Sequence, residues 1–564
     1  MTTEQSRLTS LVKQGLHLHQ SGKLAEAQTI YTQILAVQPN HFDALQLLGT
    51  LSNQMKRYHQ ALEFLSKAII VNSSHALTYY NRGIAFKELN RLEDAIADYD
   101  KAIRLKPDFG EASYNCANAL HELKRLDEAL ACFDKAIQIK PGVAKVYGNR
   151  GNVLKDLKRF NEALTNYDEG ISIDPEFGEA YYNRGNVLHE LRRLNEALAS
   201  YSKAIAIKPD FTEAYVGCGN IFSEQRRTAD ALASYNKAIA INPDSEIAQW
   251  NLSLFNLLHG NFRDGWQGYE WRWKNKEIGT LAPVRNFTEP LWLGEATLEN
   301  KTILIHAEQG LGDTIQFCRY VSMVAEQAGK VILEVPRPLF NLLSGLTGVS
   351  EIIAQGDPLP EFDYQCPLMS LPLAFKTVLN TIPAYPRYIN TDQAKVAVWK
   401  TRLGERTVPR IGIVWSGGTA YKNDHNRSLT LAQLIPHLPS HFEYISLQKE
   451  IRENDQSILA SHTEIKHFGD ALQDFTDTAA LIELMDVIIS VDTSVAHLAG
   501  AMGKRIWVLL PYSPDWRWLL GRDDSPWYPT IKLYRQNEQR DWHTVLKQVK
   551  SQLEMDYKHK PPDL

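Results

Sequence analysis

The sequence lacks any strong excess of charge. Its 564 residues carry 61 Lys and Arg against 66 Asp and Glu, a formal net charge of -5, and no basic run is longer than a pair such as Arg192-Arg193. Proteins that bind nucleic acid through its phosphates usually carry a basic excess or a dense basic stripe. We therefore expect no nucleic-acid partner.

Long apolar runs and cysteine are also scarce. No stretch approaches the ~18 apolar residues that a membrane-spanning helix needs, and the start, MTTEQSRLTSLVKQ, lacks the apolar core of a secretion signal. The five cysteines, at 116, 132, 218, 318 and 366, form no Cys-x-x-Cys pair. We therefore predict buried thiols instead of disulfides or metal ligands, in a cytoplasmic protein without a membrane span.

What the first half does contain is a period of 34 residues. Proline recurs at 39, 107, 141, 175, 209 and 243, with Ser73 in the skipped place, and glycine recurs at 15, 49, 83, 151, 185 and 219, with Ala117 in the gap. Alanine recurs without exception from Ala27 to Ala231, and a Tyr, Phe or Leu follows each alanine by four residues. Small residues let two helices approach closely, the ring fills the space between them, and proline ends the second helix.

These spacings resemble the tetratricopeptide repeat, a helix-turn-helix unit of 34 residues. Seven repeats span about residues 8 to 243. An eighth pair, from about Glu246 to Lys274, keeps Tyr269 in the aromatic column but has Ser253 and Gly265 in the small columns. We interpret it as a capping repeat that leads into another domain. The resemblance implies an all-α tetratricopeptide superhelix over residues 8–275.

Asparagine forms two columns on the first helix of the repeats. One column contains Asn81, Asn115, Asn149 and Asn183, and the other, three positions on, contains Asn118, Asn152 and Asn186. Both columns lie on one helical face, where amide groups can pair with the backbone of an extended polypeptide without reading its sequence. A similar ladder holds polypeptide acceptors in the O-linked N-acetylglucosamine transferases. The alternative interpretation is that these residues cap contacts between repeats.

After Trp273 the repeats give way to a connector with prolines at 283 and 290, and then to short apolar runs that alternate with helical stretches. Strands are predicted at 302–306, 331–334, 351–354, 411–415, 443–447, 487–491, 505–510 and 531–534. This alternation predicts parallel sheets in two Rossmann-like domains, 276–395 and 396–535, that face each other across a cleft. A terminal helix and tail, 536–564, is expected to cross back and brace both lobes.

Ligands of open α/β sheets bind beyond the carboxyl ends of the strands, so the strand ends indicate candidate site residues. The first strand ends in a glycine-rich turn with Asp313 at the start of the next helix. This carboxylate is either a helix cap or a general base that takes a proton from an acceptor hydroxyl.

A second glycine-rich turn follows the strand at 411–415. It contains Ser416 and Gly417 and is followed by the cations Lys422 and Arg427, a composition that can cradle a diphosphate and neutralise its charge. The alternative is that the two cations only form salt bridges on the loop.

The most specific motif is Asp492-Thr493-Ser494-Val-Ala-His497, which follows a buried strand and opens a helix. Free amides and the helix dipole at such a position attract phosphate, and His497 lies about one turn further on. The loop Asp515-Trp516-Arg517-Trp518 is of a kind that stacks sugars, or simply braces a domain. Thr478, at the start of another helix, is expected near the nucleobase or ribose.

The segment from about 300 to 535 resembles glycosyltransferase family nine, the ADP-heptose:lipopolysaccharide heptosyltransferases. The resemblance implies a GT-B fold, inversion at the anomeric carbon and no metal. It assigns Asp313 as the catalytic base, Asp492-Thr493-Ser494 and His497 to the donor diphosphate, and Arg427 or Lys422 as the phosphate-binding cation. Ser494 departs from the family pattern, which has glycine there, and the long repeat array is foreign to the lipopolysaccharide enzymes.

These observations predict an enzyme that transfers a sugar from an ADP-, UDP- or GDP-linked donor to a polypeptide or other acceptor presented by the repeats. The nucleotide-sugar is a co-substrate, and no further cofactor or metal is expected. A homo-oligomer remains open. The alternative is a non-catalytic scaffold whose transferase domain is vestigial or senses nucleotides.

Overall fold

The computed structural model describes residues 3–274, 285–419 and 423–557. The chain divides into two compact units, Met1–Gln225 and Arg226–Leu564. Most of the predicted connector, including Pro283, lies outside the described residues, as does Lys422. None of the helices described is long and apolar enough to cross a membrane.

The first half of the chain is built of helical hairpins with the predicted period. Their helices are α1 (Thr3–Gln20), α2 (Leu24–Val37), α3 (Phe42–Gln54), α4 (Tyr58–Val71), α5 (Ala76–Glu88), α6 (Leu92–Leu105), α7 (Gly110–Glu122), α8 (Leu126–Ile139), α9 (Ala144–Asp156), α10 (Phe160–Ile173), α11 (Gly178–Glu190), α12 (Leu194–Ile207), α13 (Thr212–Glu224), α14 (Thr228–Ile241), α15 (Glu246–Leu258) and α16 (Phe262–Tyr269). Each even-numbered helix from α2 to α14 ends two residues before the proline column, and in all of them except α4, which precedes Ser73, a proline ring prevents continuation of the helix.

The turn inside every hairpin requires the same backbone conformation. Eight residues at intervals of 34 have a positive φ between 57° and 78°: Gly22, Lys56, Asn90, Lys124, Lys158, Arg192, Arg226 and Gly260. Only the first and last are glycine, so six L-residues adopt a left-handed conformation that glycine accepts without cost. Gly260 places the degenerate eighth pair in register with the other seven.

The glycine and aromatic columns meet between the two helices of each hairpin, as predicted. Tyr99, Tyr167 and Tyr201 are almost completely buried. A Cβ atom built on Gly151 would lie 2.7 Å from Cε1 of Tyr167, and one on Gly185 would lie 2.6 Å from Cε1 of Tyr201. The absence of a side chain on the first helix is therefore what lets the ring of the second helix pack.

Substitution of Gly151 by alanine is expected to destabilise the fold by about 1–3 kcal/mol, because the new methyl group overlaps the buried Tyr167 ring. The measurement is urea denaturation of the full chain. Gly142→Ala is the control, since a Cβ there would meet no atom within 4 Å. Equal stability of the two variants would contradict this account of the glycine column.

The eighth hairpin shares its core with the α/β part of the chain. The Trp266 ring lies edge-on to Trp516 and Phe317 at centroid distances of 5.3 and 6.2 Å, and its Nε1 donates to the Thr377 carbonyl at 3.1 Å. The second compact unit accordingly begins at Arg226, well before the predicted domain boundary at 275/276. The reason is that this hairpin buries aromatic residues against the α/β core.

The α/β part contains two sheets, and within each sheet every paired strand is parallel. The first has the order β3-β2-β1-β4, with β1 (Thr302–His306), β2 (Lys330–Val335), β3 (Glu351–Ala354) and β4 (Tyr364–Pro367). Its helices are α17 (Leu311–Phe317), α18 (Val321–Ala325), α19 (Phe340–Leu343) and α20 (Leu371–Ala374). The prediction of a parallel α/β arrangement is confirmed.

The second sheet has the order β10-β9-β8-β5-β6-β7. Its strands are β5 (Arg410–Val414), β6 (Glu443–Ser446), β7 (Ile465–His467), β8 (Val487–Val491), β9 (Ile506–Leu510) and β10 (Ile531–Arg535). The helices around it are α21 (Gln393–Leu403), α22 (Asp424–Arg427), α23 (Leu431–Leu434), α24 (Glu453–Ser461), α25 (Phe475–Glu483), α26 (Ser494–Ala501) and α27 (Trp542–Tyr557).

The terminal helix α27 does not brace both lobes, and that prediction is wrong. Its buried residues, Val545, Leu546, Val549 and Leu553, belong to the same hydrophobic cluster as Ile411, Val487 and Leu509 of the second sheet. The buried face of the helix therefore packs on one lobe, the second.

Candidate functional site

Two helix N-termini, each following a strand of a different sheet, lie next to each other. Helix α17 follows β1 of the first sheet, and α26 follows β8 of the second. A Cβ atom built on Gly312 of α17 would lie 2.9 Å from Cδ2 of His497 and 3.5 Å from Cα of Ser494. Glycine at 312 therefore permits this approach. The contact brings two separately predicted sets, Asp313 and Asp492–His497, into one cluster.

Asp313 makes two interactions at this contact. Its Oδ2 accepts a hydrogen bond from the Gly310 backbone N–H at 2.9 Å, so the predicted capping role is real. Its Oδ1 forms an ion pair with Nη2 of Arg517, from the loop after β9. Burial raises the pKa of Asp313, while Arg517 opposes the rise. A raised pKa makes a carboxylate a better proton acceptor.

Arg517 is held between two carboxylates. Its Nη1 lies 2.8 Å from Oδ1 of Asp515, which also accepts from the Arg517 backbone N–H at 3.0 Å. Burial disfavours the guanidinium charge, but Asp313 and Asp515 outweigh that cost and raise the pKa of Arg517 well above its usual value. The guanidinium carbon lies 4.3 Å from the centroid of the Trp516 ring. Arg517 is therefore a fixed, buried cation.

His497 is buried beside Asp492 and is neutral. Burial lowers the pKa of His497 well below 6.5, and the neighbouring arginines lower it further. Its Nδ1 lies 3.0 Å from the Tyr528 hydroxyl, its Nε2 lies 3.7 Å from Oδ1 of Asp492, and its ring stacks on Trp518. Burial also raises the pKa of Asp492 to about 6. The ring is thus oriented from three sides.

The glycine-rich turn after β5 joins the same cluster through Arg427. The Gly417 backbone N–H donates to the Ser428 hydroxyl at 3.0 Å, and the Ser416 hydroxyl accepts from the Gln448 amide at 3.1 Å. Nη1 of Arg427 donates to the backbone carbonyl of Asp492 at 2.7 Å. Arg427 also forms a salt bridge with Asp424 at 3.1 Å, so the alternative of a salt bridge on the loop is present for this residue, and binding of a diphosphate stays a prediction.

Thr478 lies apart from this connection. It is buried on α25, and its neighbour Asp477 accepts from Nζ of Lys395 at 2.9 Å and from Nε1 of Trp399 at 3.2 Å. Those bonds tie α25 to α21. Among the described residues no hydrogen bond links Asp477 or Thr478 to Asp492 or His497, so a role for Thr478 in donor binding stays a prediction.

The two lobes are held together at the site by a buried arginine that sequence reasoning missed. Arg319 is 1% exposed, and its guanidinium donates to the Trp527 carbonyl at 2.5 Å, the Tyr388 hydroxyl at 2.9 Å and the Gln316 carbonyl at 2.7 Å. Its guanidinium carbon lies 4.5 Å from the centroid of the Tyr528 ring. Carbonyl oxygens and aromatic faces stabilise this charge, and no local sequence motif indicates that arrangement.

Several buried polar atoms near the cluster have no hydrogen-bond partner among the described residues. They are Nε of Arg517, Nε1 of Trp527 and both amide atoms of Gln316, a residue three positions after Asp313 on α17. Buried polar groups are almost always paired, so such atoms are expected where water or a ligand supplies the partner. Most of these atoms are N–H donors, which favours a ligand rich in oxygen.

A second network of charged side chains includes Glu308, two residues after β1. Oε1 of Glu308 accepts from Nη2 of Arg272 at 3.1 Å and from the Met369 N–H at 3.2 Å. Arg272, from the turn after α16, also reaches Ser370 at 2.7 Å. Burial raises the pKa of Glu308 to about 7; Arg272 opposes the rise and Glu270 adds to it. The network anchors the last hairpin to the first sheet.

This pKa predicts a pH-dependent stability. Because the folded-state pKa is above the ordinary value of 4.5, the stabilisation from protonated Glu308 is complete below about pH 4.5 and is lost as the pH rises through about 7. Glu308→Gln is expected to be more stable than the natural chain at pH 8.5 and to lose that advantage near pH 5, by urea denaturation. The exposed Glu299→Gln serves as the control. An advantage of equal size at both pH values would contradict the ionisation of Glu308.

The repeats place the asparagine columns in contact with neighbouring repeats. Nδ2 of Asn115 donates to the Tyr80 hydroxyl at 3.1 Å, and Nδ2 of Asn149 donates to the Tyr114 hydroxyl and to Oδ1 of Asn118, each at 2.9 Å. Asn81 likewise donates to Thr50 at 2.8 Å. The alternative interpretation, contacts between repeats, is therefore correct for these amide nitrogens.

Two members of the second column, Asn152 and Asn186, accept hydrogen bonds within their own repeats. Oδ1 of Asn152 accepts from the Tyr167 hydroxyl at 2.8 Å, and Oδ1 of Asn186 accepts from the Tyr201 hydroxyl at 2.7 Å. Asn183 differs, because Gly148 stands where Tyr80 and Tyr114 stand in the preceding repeats. Among the described residues its amide makes no hydrogen bond.

Comparison with known proteins agrees with the repeat architecture. Residues 12–75 and 80–144, 151–192, 178–211 and 212–245 each match a tetratricopeptide repeat family. Protein FlbA of Caulobacter vibrioides (strain ATCC 19089 / CIP 103742 / CB 15) is 25% identical over 324 residues, 53% of this chain and 53% of that protein. The chain thus spans about half the length of this curated relative.

Two solved structures are similar to part of the chain. The tetratricopeptide protein YrrB, described as having an unusual peptide-binding site, is 28% identical, with a TM-score of 0.29, over 33% of this chain and 96% of its own. MamA protein is 23% identical, with a TM-score of 0.29, over 30% and 92%. The family matches and the 34-residue hairpins show that residues 12–245 contain tetratricopeptide repeats.

Proposed function

We propose that this chain is a glycosyltransferase that moves a sugar from a nucleoside-diphosphate donor to a polypeptide or other acceptor presented by its repeats. The observation that carries the proposal is the contact of α17 with α26. It unites a carboxylate of raised pKa, Asp313, with a helix N-terminus, the buried cation Arg517 and the partly buried cation Arg427 from the opposite lobe. A site between two parallel-sheet lobes is consistent with the GT-B fold that the resemblance implies.

The proposed reaction is a single displacement. Asp313 accepts the proton of the acceptor hydroxyl as its oxygen attacks the anomeric carbon, and the bond from that carbon to the diphosphate oxygen breaks, so that configuration inverts. The departing diphosphate takes the electron pair and is stabilised by Arg427 and by the backbone amides at 493–494 of α26. Ser416, Gly417 and Lys422 belong to the same proposed donor site. Neutral His497 orients the Asp492 motif.

The test is incubation of the purified chain with a panel of ADP-, UDP- and GDP-sugars, with release of the nucleoside diphosphate as the readout. We expect one donor class to be hydrolysed slowly and to be turned over faster with its acceptor. Intact-mass measurement of co-expressed candidate acceptors then identifies the transferred sugar. Failure to turn over any donor would favour the alternative, a non-catalytic repeat scaffold.

For the repeats, we propose that the open position at Asn183 marks where an extended peptide pairs with the ladder. Joint replacement of Asn115, Asn149 and Asn183 by alanine is expected to lower peptide affinity by about tenfold or more. The single Asn183→Ala change should lower affinity without changing the melting temperature, because that amide bonds to no described neighbour, whereas Asn149→Ala should lower both. Fluorescence anisotropy with labelled, extended peptides of mixed sequence measures the affinity, and unchanged binding by the triple variant would remove the peptide-groove proposal.

A further inference from the structure

Arg517 carries one positive charge but pairs with two carboxylates. Its guanidinium is about nine-tenths buried, and its two terminal nitrogens bind Asp313 and Asp515. Two carboxylates therefore share one guanidinium, and the Nε of Arg517 has no hydrogen-bond partner among the described residues. A guanidinium prefers to bind two oxygens of one group through a pair of adjacent nitrogens. Here that preferred arrangement is not satisfied.

We infer that Arg517 is a donor-binding residue that exchanges partners: in the empty site it holds Asp313, and a nucleoside diphosphate displaces Asp313 and takes its place on Arg517. This inference rests on the proposed transferase function. It identifies the ligand of Arg517 as a phosphate group of the donor, and it makes donor binding the event that releases the base.

The geometry allows the exchange to be selective for Asp313. Asp515 also accepts from the Arg517 backbone N–H at 3.0 Å, and the guanidinium packs on Trp516, so this pair is fixed within one short turn. Asp313 comes from the other lobe and keeps its own bond to the Gly310 N–H when Arg517 is lost. The Nε and Nη2 atoms of Arg517 would then offer two adjacent donors to two phosphate oxygens.

The exchange also changes the chemistry of Asp313. The pKa of Asp313 is raised by burial and held down in part by Arg517. When phosphate takes Arg517, that opposing influence falls, and Asp313 becomes a stronger base at the moment when the donor is in place. Before that moment the ion pair occupies one oxygen of the carboxylate. The arrangement favours an order in which the donor binds before the acceptor is deprotonated.

The direction in which Asp313→Asn changes nucleotide affinity distinguishes partner exchange from a merely structural ion pair. Calorimetric titration of the full chain with ADP, UDP and GDP identifies the nucleotide that binds. If Asp313 competes with phosphate for Arg517, Asp313→Asn should tighten the binding of that nucleotide by about tenfold, and Arg517→Gln should weaken it by at least that factor. In the double variant the tightening should disappear. Arg522→Gln is the control. Arg522 is partly exposed, pairs with Asp524 and lies four residues after Trp518, so its loss should leave nucleotide affinity unchanged.

The outcomes distinguish this inference from the function on which it rests. Absence of binding of all three nucleotides by the natural chain would overturn both. Binding by the natural chain that is unaffected or weakened by Asp313→Asn would overturn the exchange and leave the transferase proposal standing. Tightening that persists in the double variant would assign the effect to the removal of a negative charge alone and would also overturn the role of Arg517. Melting temperatures of the variants verify that each has folded.

Discussion

Replacement of Asp313 by asparagine is expected to lower the turnover of the sugar donor by about 10²–10⁴-fold, the usual contribution of a general base. The asparagine amide keeps the shape of the side chain, and its oxygen can still accept the Gly310 N–H bond, but it cannot take a proton from an acceptor hydroxyl. The loss should appear in kcat, while KM for the donor stays equal or falls, because Asp313 no longer competes with the donor for Arg517. Steady-state release of the nucleoside diphosphate is the measurement.

A matched control for this experiment is Asp357→Asn. Asp357 pairs with Arg337 at the surface of the same lobe, with both side chains largely exposed, so its loss should leave turnover unchanged. If Asp313→Asn retained full activity, the assignment of the base would be wrong even though the enzyme proposal could survive. If the two variants lost activity equally, the effect would be attributed to the charge of the lobe and not to the site.

The second large effect is expected at Arg319. Arg319→Ala should destabilise the second compact unit by about 3–5 kcal/mol, because it leaves a cavity and unpaired carbonyls at the contact between the lobes. Three of the partners, Trp527, Tyr388 and Gln316, come from different segments, so a single truncation loosens all of them. Chemical denaturation of the full chain, followed by tryptophan fluorescence, measures the loss.

Arg319→Met distinguishes packing from charge. A methionine of similar length refills the cavity and removes a buried charge, and such replacements are often close to neutral. We therefore expect Arg319→Met to be clearly more stable than Arg319→Ala. Equal and large losses would show that the hydrogen bonds of the guanidinium dominate, and equal and small losses would show that Arg319 does not hold the lobes together.

The repeats could be predicted from the sequence because each interaction is local and recurs. The glycine against which a ring packs lies 16 residues before that ring, as in Gly151 and Tyr167. The 34-residue repeat that contains these positions occurs seven times. The predicted strands β1, β3 and β8 agree with the structure at both ends, since each is a short apolar run bounded by polar turns. Strands β4 and β7 were missed because each is short and, unlike β3, contains no two consecutive aliphatic residues: their sequences are Tyr-Gln-Cys-Pro and Ile-Lys-His.

The site was predicted only in part, for a physical reason. The motifs around Asp313 and Asp492 could be recognised because each lies at the end of a buried strand, where backbone geometry and ligand chemistry are local. The partner of Asp313 is Arg517, 204 residues further on, and only the packing of two lobes brings them together. The start of the second compact unit at Arg226 does not follow from the sequence either, since nothing local shows that Trp266 packs on Trp516.

Diphosphate recognition at this site is tested by calorimetric titration of the full chain with ADP, UDP and GDP, each compared with its nucleoside. We expect that at least one nucleoside diphosphate binds at one site per chain, that its nucleoside binds far more weakly, and that Arg427→Gln abolishes the difference. Absence of binding at millimolar concentration for all three, or equal binding of the diphosphate and its nucleoside, would contradict recognition of a diphosphate at this site.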